Sequence, residues 1–224
     1  MSEIKEHQIL FNGSMVRAIL EGRKTVTRRV MKFQPGPDAS VEVGGYHPTI
    51  NNRRGEESPG PEVFGAWWQD GERTCKSPYG PPGDRLWVRE SLGYDCEYGH
   101  YFAAGGAHGE TVYLCSLFDN EETQTGYSYD GLLPERSVPS IHLHRRYSRI
   151  LLEVTAVRIE RLQDITPEQA LAEGVMSAER DIDPDGNDYS PYELFGGLWT
   201  MINGMESWFA NPWVWVIEFR RVQP

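Results

Sequence analysis

The stretch ILLEVTAVRIERLQDITPEQALAEG, residues 150–174, decides how this chain is read. Ile150, Leu152, Val154 and Ala156 alternate with Leu151, Glu153, Thr155 and Val157, which predicts a strand over 150–159. The alternation stops at Asp164-Ile165 and helix signals take over. Thr166 is a good N-cap, Pro167 suits the first helical position, Gln169 completes a capping box, and Gly174 closes the helix. The segment is therefore one strand handed to one short, well-capped helix.

Working outward from it, residues 177–190 read as an acidic loop and Tyr192 to Ile202 as a second helix. Asn211-Pro212 is a turn, and Trp213 to Val222 is a final strand. Towards the N-terminus, Ser14 can cap a helix from Met15 to Glu21 that Gly22 ends. Lys24 to Met31 then reads as a strand rich in Thr and Val. Leu86-Trp87-Val88 is a further strand, entered through Gly83-Asp84. Two long stretches interrupt this frame. Residues 33–83, rich in Gly, Pro and Asn, are a long loop or an inserted subdomain. Residues 91–137 form a second insertion, with one strand expected at Thr111 to Leu117. Strands outnumber helices and do not alternate with them, and no GxGxxG or P-loop is present, so a doubly wound parallel sheet is disfavoured. The expectation is a mainly β (α+β) single domain: a small β-barrel with short flanking helices and two insertions.

The 224 residues carry a net charge of -11, which argues against a protein that coats long duplex nucleic acid. The charge is unevenly spread. Residues 15–32 hold six bases and one acid, and residues 164–190 hold eight acids and one base. Residues 136–149 hold Arg136, Arg145, Arg146 and Arg149 with no acid. Two basic patches and one acidic stretch can build a pocket for one nucleotide or a short strand, or can face solvent independently. The cysteines, Cys75, Cys96 and Cys115, make no disulfide framework and no CxxC pair. Cys96, His100, His108 and Cys115 can be drawn as a metal site, but their spacing fits no common ligand pattern. The N-terminal MSEIKEHQ is unlike a signal peptide, and no apolar run approaches the roughly 20 residues that span a bilayer, so a cytoplasmic protein with no membrane partner is expected.

Four segments, ILEGRKTVTRR, GDRLWVRE, EVTAVRIERLQDITPEQALAEG and NPWVWVIEFRRV, together resemble the ASCH family of the PUA-like superfamily. Within it they look most like the bacterial N4-acetylcytidine amidohydrolases and longer phage-borne ASCH-like proteins. The matching segments cover roughly a third to a half of the chain, outside the two insertions. The resemblance implies a PUA-like barrel with a nucleobase cleft and no metal or other cofactor. It implies a catalytic set of Lys24, Thr27 and Glu173, with Arg29 beside them. One departure is Gly174, where the family has Asn after the glutamate. The implied partner is a modified nucleoside or short single-stranded RNA. The rival readings are a non-catalytic reader of a modified base and an ASCH-type ribonuclease.

The chemistry can be weighed without the family. Hydrolysis of an amide needs a nucleophile, a base to activate it and an acid for the leaving nitrogen. Thr27 can attack or orient water, provided a base is within reach. Lys24 is a poor base at its usual pKa of about 10.4, but burial and the neighbouring Arg23, Arg28 and Arg29 disfavour its charged form. Glu173 can shuttle a proton to the leaving amine. Arg29, Arg89 and Glu90 are candidates for the polar wall of the cleft, where a guanidinium presents a planar fork. The plain alternatives are a solvated helix-end lysine, an ordinary strand threonine and a solvated glutamate. Geometry adds a condition. Residues three apart on a strand point to opposite faces, so Lys24 must precede the strand, or the backbone must bulge, if it is to share a site with Thr27.

Overall fold

A computed structural model describes residues 3–36, 38–69, 73–115 and 133–222, the side chains of 177, 180 and 181 excepted. The chain opens with β1 (Glu6–Leu10), α1 (Gly13–Leu20) and β2 (Val26–Val30). The first insertion then supplies β3 (Val41–Tyr46), β4 (Thr49–Asn51), β5 (Glu57–Pro59), β6 (Val63–Trp68) and β7 (Arg73–Lys76). After β8 (Arg85–Arg89), the second insertion forms the hairpin β9 (Leu92–Asp95) and β10 (Gly99–Phe102). The C-terminal part runs β11 (Leu151–Arg161), α2 (Pro167–Ala172), α3 (Glu179–Ile182), α4 (Pro191–Asn203), α5 (Met205–Phe209) and β12 (Trp213–Val222).

Five strands make the central sheet, in the order β1-β8-β11-β12-β2. β1 and β8 are parallel, and every other neighbouring pair is antiparallel. The fold is thus mainly β with short helices, but the expected closed barrel is not seen among the described residues. No ladder joins β1 to β2, and both stand as edges. The reason is local. α1 leaves β1 after only two residues and packs Val16 and Ile19 into the core beside Phe11. The remaining gap is bridged by a side chain, with Arg29 Nη2 donating to the Leu10 carbonyl.

The two faces of the sheet bury different cores. One gathers Leu86, Val88, Leu152, Trp215 and Ile217 with α1, and with Ala66, Trp68 and Cys75 of the first insertion. That insertion is therefore no loose loop: its antiparallel sheet β3-β6-β7 closes the main core. The opposite face packs Val26, Val214 and Val216 against α2 and α4 through Ala170, Leu194, Phe195, Leu198 and Trp199. A third, smaller core belongs to the second insertion and the segment after it, around Leu92, Phe102, Leu114, Leu143 and Tyr147.

Several local expectations shift. α1 is capped by Asn12, whose Oδ1 accepts from Met15 N at 2.9 Å, and Ser14 only donates to that same oxygen. Asn12 has the extended backbone an N-cap needs, so the helix starts two residues early. The strand expected at Thr111 to Leu117 reduces, over 111–115, to one bridge between Tyr113 and Tyr101. The remainder, residues 116 and 117, lies outside the described residues. The acidic loop over 177–190 contains the single-turn α3. β1 and α5 were not anticipated at all.

The capping box of α2 is present as read, with Thr166 and Gln169 exchanging side-chain-to-backbone bonds. Its far end turns on Gly174, which has φ +80°. A Cβ there would lie 2.7 Å from the Ala18 Cβ and 3.1 Å from the Lys24 Cβ. Gly174→Ala is therefore expected to destabilise the fold by about 2–5 kcal/mol, the sum of left-handed strain and overpacking. Urea unfolding checks this, and an unchanged midpoint would show that α2 and α1 are not tightly apposed.

Candidate active site

The site begins where α1 ends. Gly22, at φ +75°, turns the chain so that the amides of Arg23 and Lys24 both donate to the Ala18 carbonyl. Lys24 thereby sits ahead of β2. Thr25 next clamps the chain between two elements. Its amide donates to the Ala172 carbonyl at the end of α2, and its carbonyl accepts from Phe219 on β12. This clamp delivers the Lys24 side chain to the C-terminus of α2, where cations are favoured.

There Lys24 Nζ makes three hydrogen bonds: to Glu173 Oε2 at 2.7 Å, to the Glu173 carbonyl at 2.8 Å and to the Val26 carbonyl at 2.9 Å. An ammonium has three N–H groups, so all are used. The side chain is fully buried, with Nζ 5.4 Å from the Phe11 ring centroid. Burial holds this amine below the usual lysine range. The Glu173 carboxylate pulls the other way, and Arg29 and Arg28 push it further down.

Glu173 is itself shared. Its Oε1 accepts from Arg28 Nη1 at 3.2 Å. Arg28, completely buried, also binds Glu160 Oε1 through Nε at 3.0 Å and Gln169 Oε1 through Nη2 at 2.8 Å. Gln169 Oε1 is the atom that accepts from the Thr166 amide in the capping box. The motif that starts α2 therefore also holds the arginine that fixes the glutamate at its end. Along the sequence Arg28 figures only as a charge that repels Lys24. Its pairing with Glu160 and Gln169 is a contact across elements that no spacing rule reveals.

Two cavities open at the β2 edge. The smaller, about 60 Å³, is lined by Thr27, Arg28, Arg29 and Glu173 on one side and by Phe195 and Trp199 of α4 on the other. The Thr27 hydroxyl makes no hydrogen bond among the described residues. The larger cavity, about 510 Å³, is lined by Phe11, Asn12, Arg29, Glu90 and Ser91, with Ala103 and Ala104 from the second insertion. Met15, Arg29 and Ile202 border both, so the cavities adjoin. Arg29 stands at the junction. Its guanidinium lies 5.2 Å from the Phe11 centroid, and its Nε is buried without a hydrogen-bond partner among the described residues.

Glu90 faces the larger cavity but is held from behind. Arg149 binds it in a fork, Nε to Oε1 at 2.9 Å and Nη2 to Oε2 at 2.8 Å, and stacks 4.0 Å from the Phe102 centroid. Burial raises the Glu90 pKa, and Arg149 partly offsets the rise. Arg89 lines neither cavity. It donates to Gln8 Oε1 at 2.6 Å and to the Ser140 carbonyl at 3.0 Å, so its guanidinium is already committed. The structure thus brings Thr27, Glu173, Arg29 and Glu90 to the cavity walls, sets Lys24 behind them on Glu173, and leaves Arg89 outside. No three His, Cys, Asp or Glu side chains converge to hold a metal among the described residues. His100, buried, is directed at the carbonyls of Pro134 and Arg136. No helix among the described residues is long and apolar enough to cross a membrane.

A scan against protein-family models and searches of curated proteins and of solved structures return no match to this chain.

The buried pair carries a testable asymmetry. Removing Glu173 strands the Lys24 charge, and removing Lys24 leaves Glu173 with Arg28 alone, whereas removing both leaves Arg28 its Glu160 partner. Lys24→Met alone and Glu173→Gln alone are each expected to cost about 3–5 kcal/mol, and the double variant distinctly less than their sum. Additive losses in denaturant unfolding would refute the coupling. The pH dependence has a definite sign. Because the folded-state pKa of Lys24 lies below its unfolded value, the unfolded chain binds more protons in the window between them. Stability should rise with pH across that window, up to about 10.4, and Lys24→Met should remove that rise.

Proposed function

We propose that this chain is an ASCH-like, PUA-like amidohydrolase that removes an acyl group from the exocyclic amine of a modified cytidine. The observation carrying the reading is the buried Lys24–Glu173 pair beside a small cavity that Thr27 lines. Lys24 and Glu173 meet although nearly 150 positions separate them, and Thr27 lines the same cavity as Glu173, so residues able to act as base, acid and nucleophile lie close together. The open edge between β1 and β2 departs from a closed barrel, yet it is at that edge that the cavities lie.

In the proposed reaction the acyl carbon enters the smaller cavity and the nucleoside occupies the larger. A cavity of about 60 Å³ admits a group of only a few heavy atoms, which suits a short acyl chain. The Lys24 ammonium, 2.7 Å from Glu173 Oε2, first passes a proton to that carboxylate. The neutral amine then gives up the Val26 carbonyl and takes the proton of the Thr27 hydroxyl, or of a water that Thr27 orients. Oxygen adds to the acyl carbon, the C–N bond breaks, and Glu173 returns its proton to the departing cytosine amine. If Thr27 is the nucleophile, a water completes the cycle by hydrolysing its ester. The products are the unmodified cytidine and a carboxylate. Arg29, at the junction, is placed to orient the substrate carbonyl or phosphate.

One observation favours a second reading. All three N–H groups of Lys24 are satisfied, and Thr27 is not bonded to it. A rigid pair of this kind also suits a reader that binds a modified base without cleaving it. Turnover separates the two. An enzyme should hydrolyse N4-acetylcytidine as nucleoside, nucleotide or within short RNA. Lys24→Ala and Thr27→Ala should each lower that rate by at least about a hundredfold while ligand affinity falls much less. Chromatographic measurement of deacylation beside equilibrium binding provides both numbers. Binding of all three substrates without hydrolysis of any would replace the enzyme with the reader.

A further inference from the structure

The segment DIDPDGND, residues 181–188, lines neither cavity of the candidate site. It carries four aspartates and no base. At its start the Asp183 amide donates to the Glu179 carbonyl at 2.7 Å and closes α3. The chain then turns back on Gly186, whose φ is +72° and whose amide donates to the Asp183 carbonyl at 3.3 Å. Asn187 Nδ2 donates to Asp183 Oδ1 at 2.8 Å, so this carboxylate is folded in over the turn. Asp183 is only 6% exposed, and its second oxygen, Oδ2, is buried with no hydrogen-bond partner among the described residues.

A buried carboxylate oxygen without a donor carries a full desolvation penalty. A cation removes it. The sequence around it has the form D-x-D-x-D-G over 181–186, the spacing by which alternate carboxylates and a turn-forming glycine surround calcium. We propose that this turn binds a calcium ion, with Asp183 Oδ2 as the buried ligand and the exposed Asp185 and Asp188 as its neighbours. Calcium accepts an irregular set of six to eight oxygens, backbone carbonyls and waters included, whereas magnesium demands a near-octahedral set. No three acidic side chains converge there among the described residues, so the outer ligands close around the ion as it binds.

The loop departs from the full twelve-residue pattern in one respect. Tyr192 stands where the closing glutamate belongs, and Glu193, one residue later, is held by Ser190 as the capping box of α4. Without a bidentate closing ligand the affinity belongs at the weak end of the calcium range. The site has a structural consequence. It lies immediately ahead of α4, whose Phe195, Leu198, Trp199 and Ile202 line the smaller cavity. A bound ion would anchor the first turn of that helix.

The test is calorimetric titration of the full-length chain, stripped with a chelator, against calcium chloride and magnesium chloride, with thermal denaturation alongside. One calcium per chain is expected, with a Kd of roughly 10⁻⁵–10⁻³ M, and magnesium at least about tenfold weaker. Asp183→Asn and Asp185→Asn should each weaken calcium at least about tenfold. In chelator, Asp183→Asn should melt at or above the parent temperature, because the unpartnered charge is gone. Asp185 is exposed, so its variant tests the site even if the other folds poorly. The proposal falls if roughly 10 mM calcium, ten times the weak limit, produces neither heat nor a melting shift. It falls equally if both variants bind like the parent, which would mean calcium condensing on an acidic surface. A marked drop in the chelator melting temperature of Asp183→Asn would also overturn it, by showing that Oδ2 has a protein partner.

Discussion

The ion pair between Lys24 and Glu173 is the constraint on which the rest of this architecture turns. It joins the end of α1 to the end of α2 with both side chains buried. Such a pair adds little net stability, because taking both ions out of water offsets most of their attraction. Its worth lies in specification. Lys24 finds three acceptors in one place only if Gly22 and Gly174 turn with positive φ and Thr25 ties α2 to β12. The backbone path of three elements is therefore set by the need to satisfy one ammonium.

Around that pair the charges form a continuous chain. Arg28 links Glu173 to Glu160, Glu160 meets Arg158, and Arg158 meets Glu218 at the exposed end. Arg28 is thus balanced by two carboxylates, whereas Arg29 next to it binds a backbone carbonyl. The solvent-screened Arg158–Glu218 end contributes little energy. The buried Arg28 contacts matter more, since they hold the Glu173 carboxylate in a single orientation towards Lys24.

The insertions are part of the same design. The first supplies Ala66, Trp68 and Cys75 to the main core, so the central sheet would lose one wall without it. Its Trp67-Trp68 pair divides as adjacent strand residues must, with Trp68 buried and Trp67 partly exposed against Tyr46. The second insertion reaches the larger cavity directly through Ala103 and Ala104. Phe102 supports the arginine that holds Glu90. The second insertion thus gives that cavity one wall, while its charged groups, Arg29 and Glu90, come from β2 and the end of β8.

What the sequence determined by itself was local. The alternation of 150–159, the capping box at Thr166 and Gln169, the final strand from Trp213 to Val222 and the turn at Gly22 were legible because each depends on neighbours within a few residues. The condition that Lys24 must precede its strand was legible for the same reason. The candidate residues Lys24, Thr27 and Glu173 were named from a motif resemblance, and no local rule placed them together. Tertiary structure alone decided the remainder. β1 was missed because its EHQIL lacks a clean alternation and is stabilised by parallel pairing with β8, some 79 positions away. Arg89 lost its place at the cavity because Gln8 and Ser140 compete for its guanidinium from distant segments. Arg149 became the keeper of Glu90, and Arg28 of Glu173, through contacts spanning 59 and 145 positions. Hydrogen-bond propensity within a turn can be read along the chain, whereas the desolvation of a charge depends on everything folded around it.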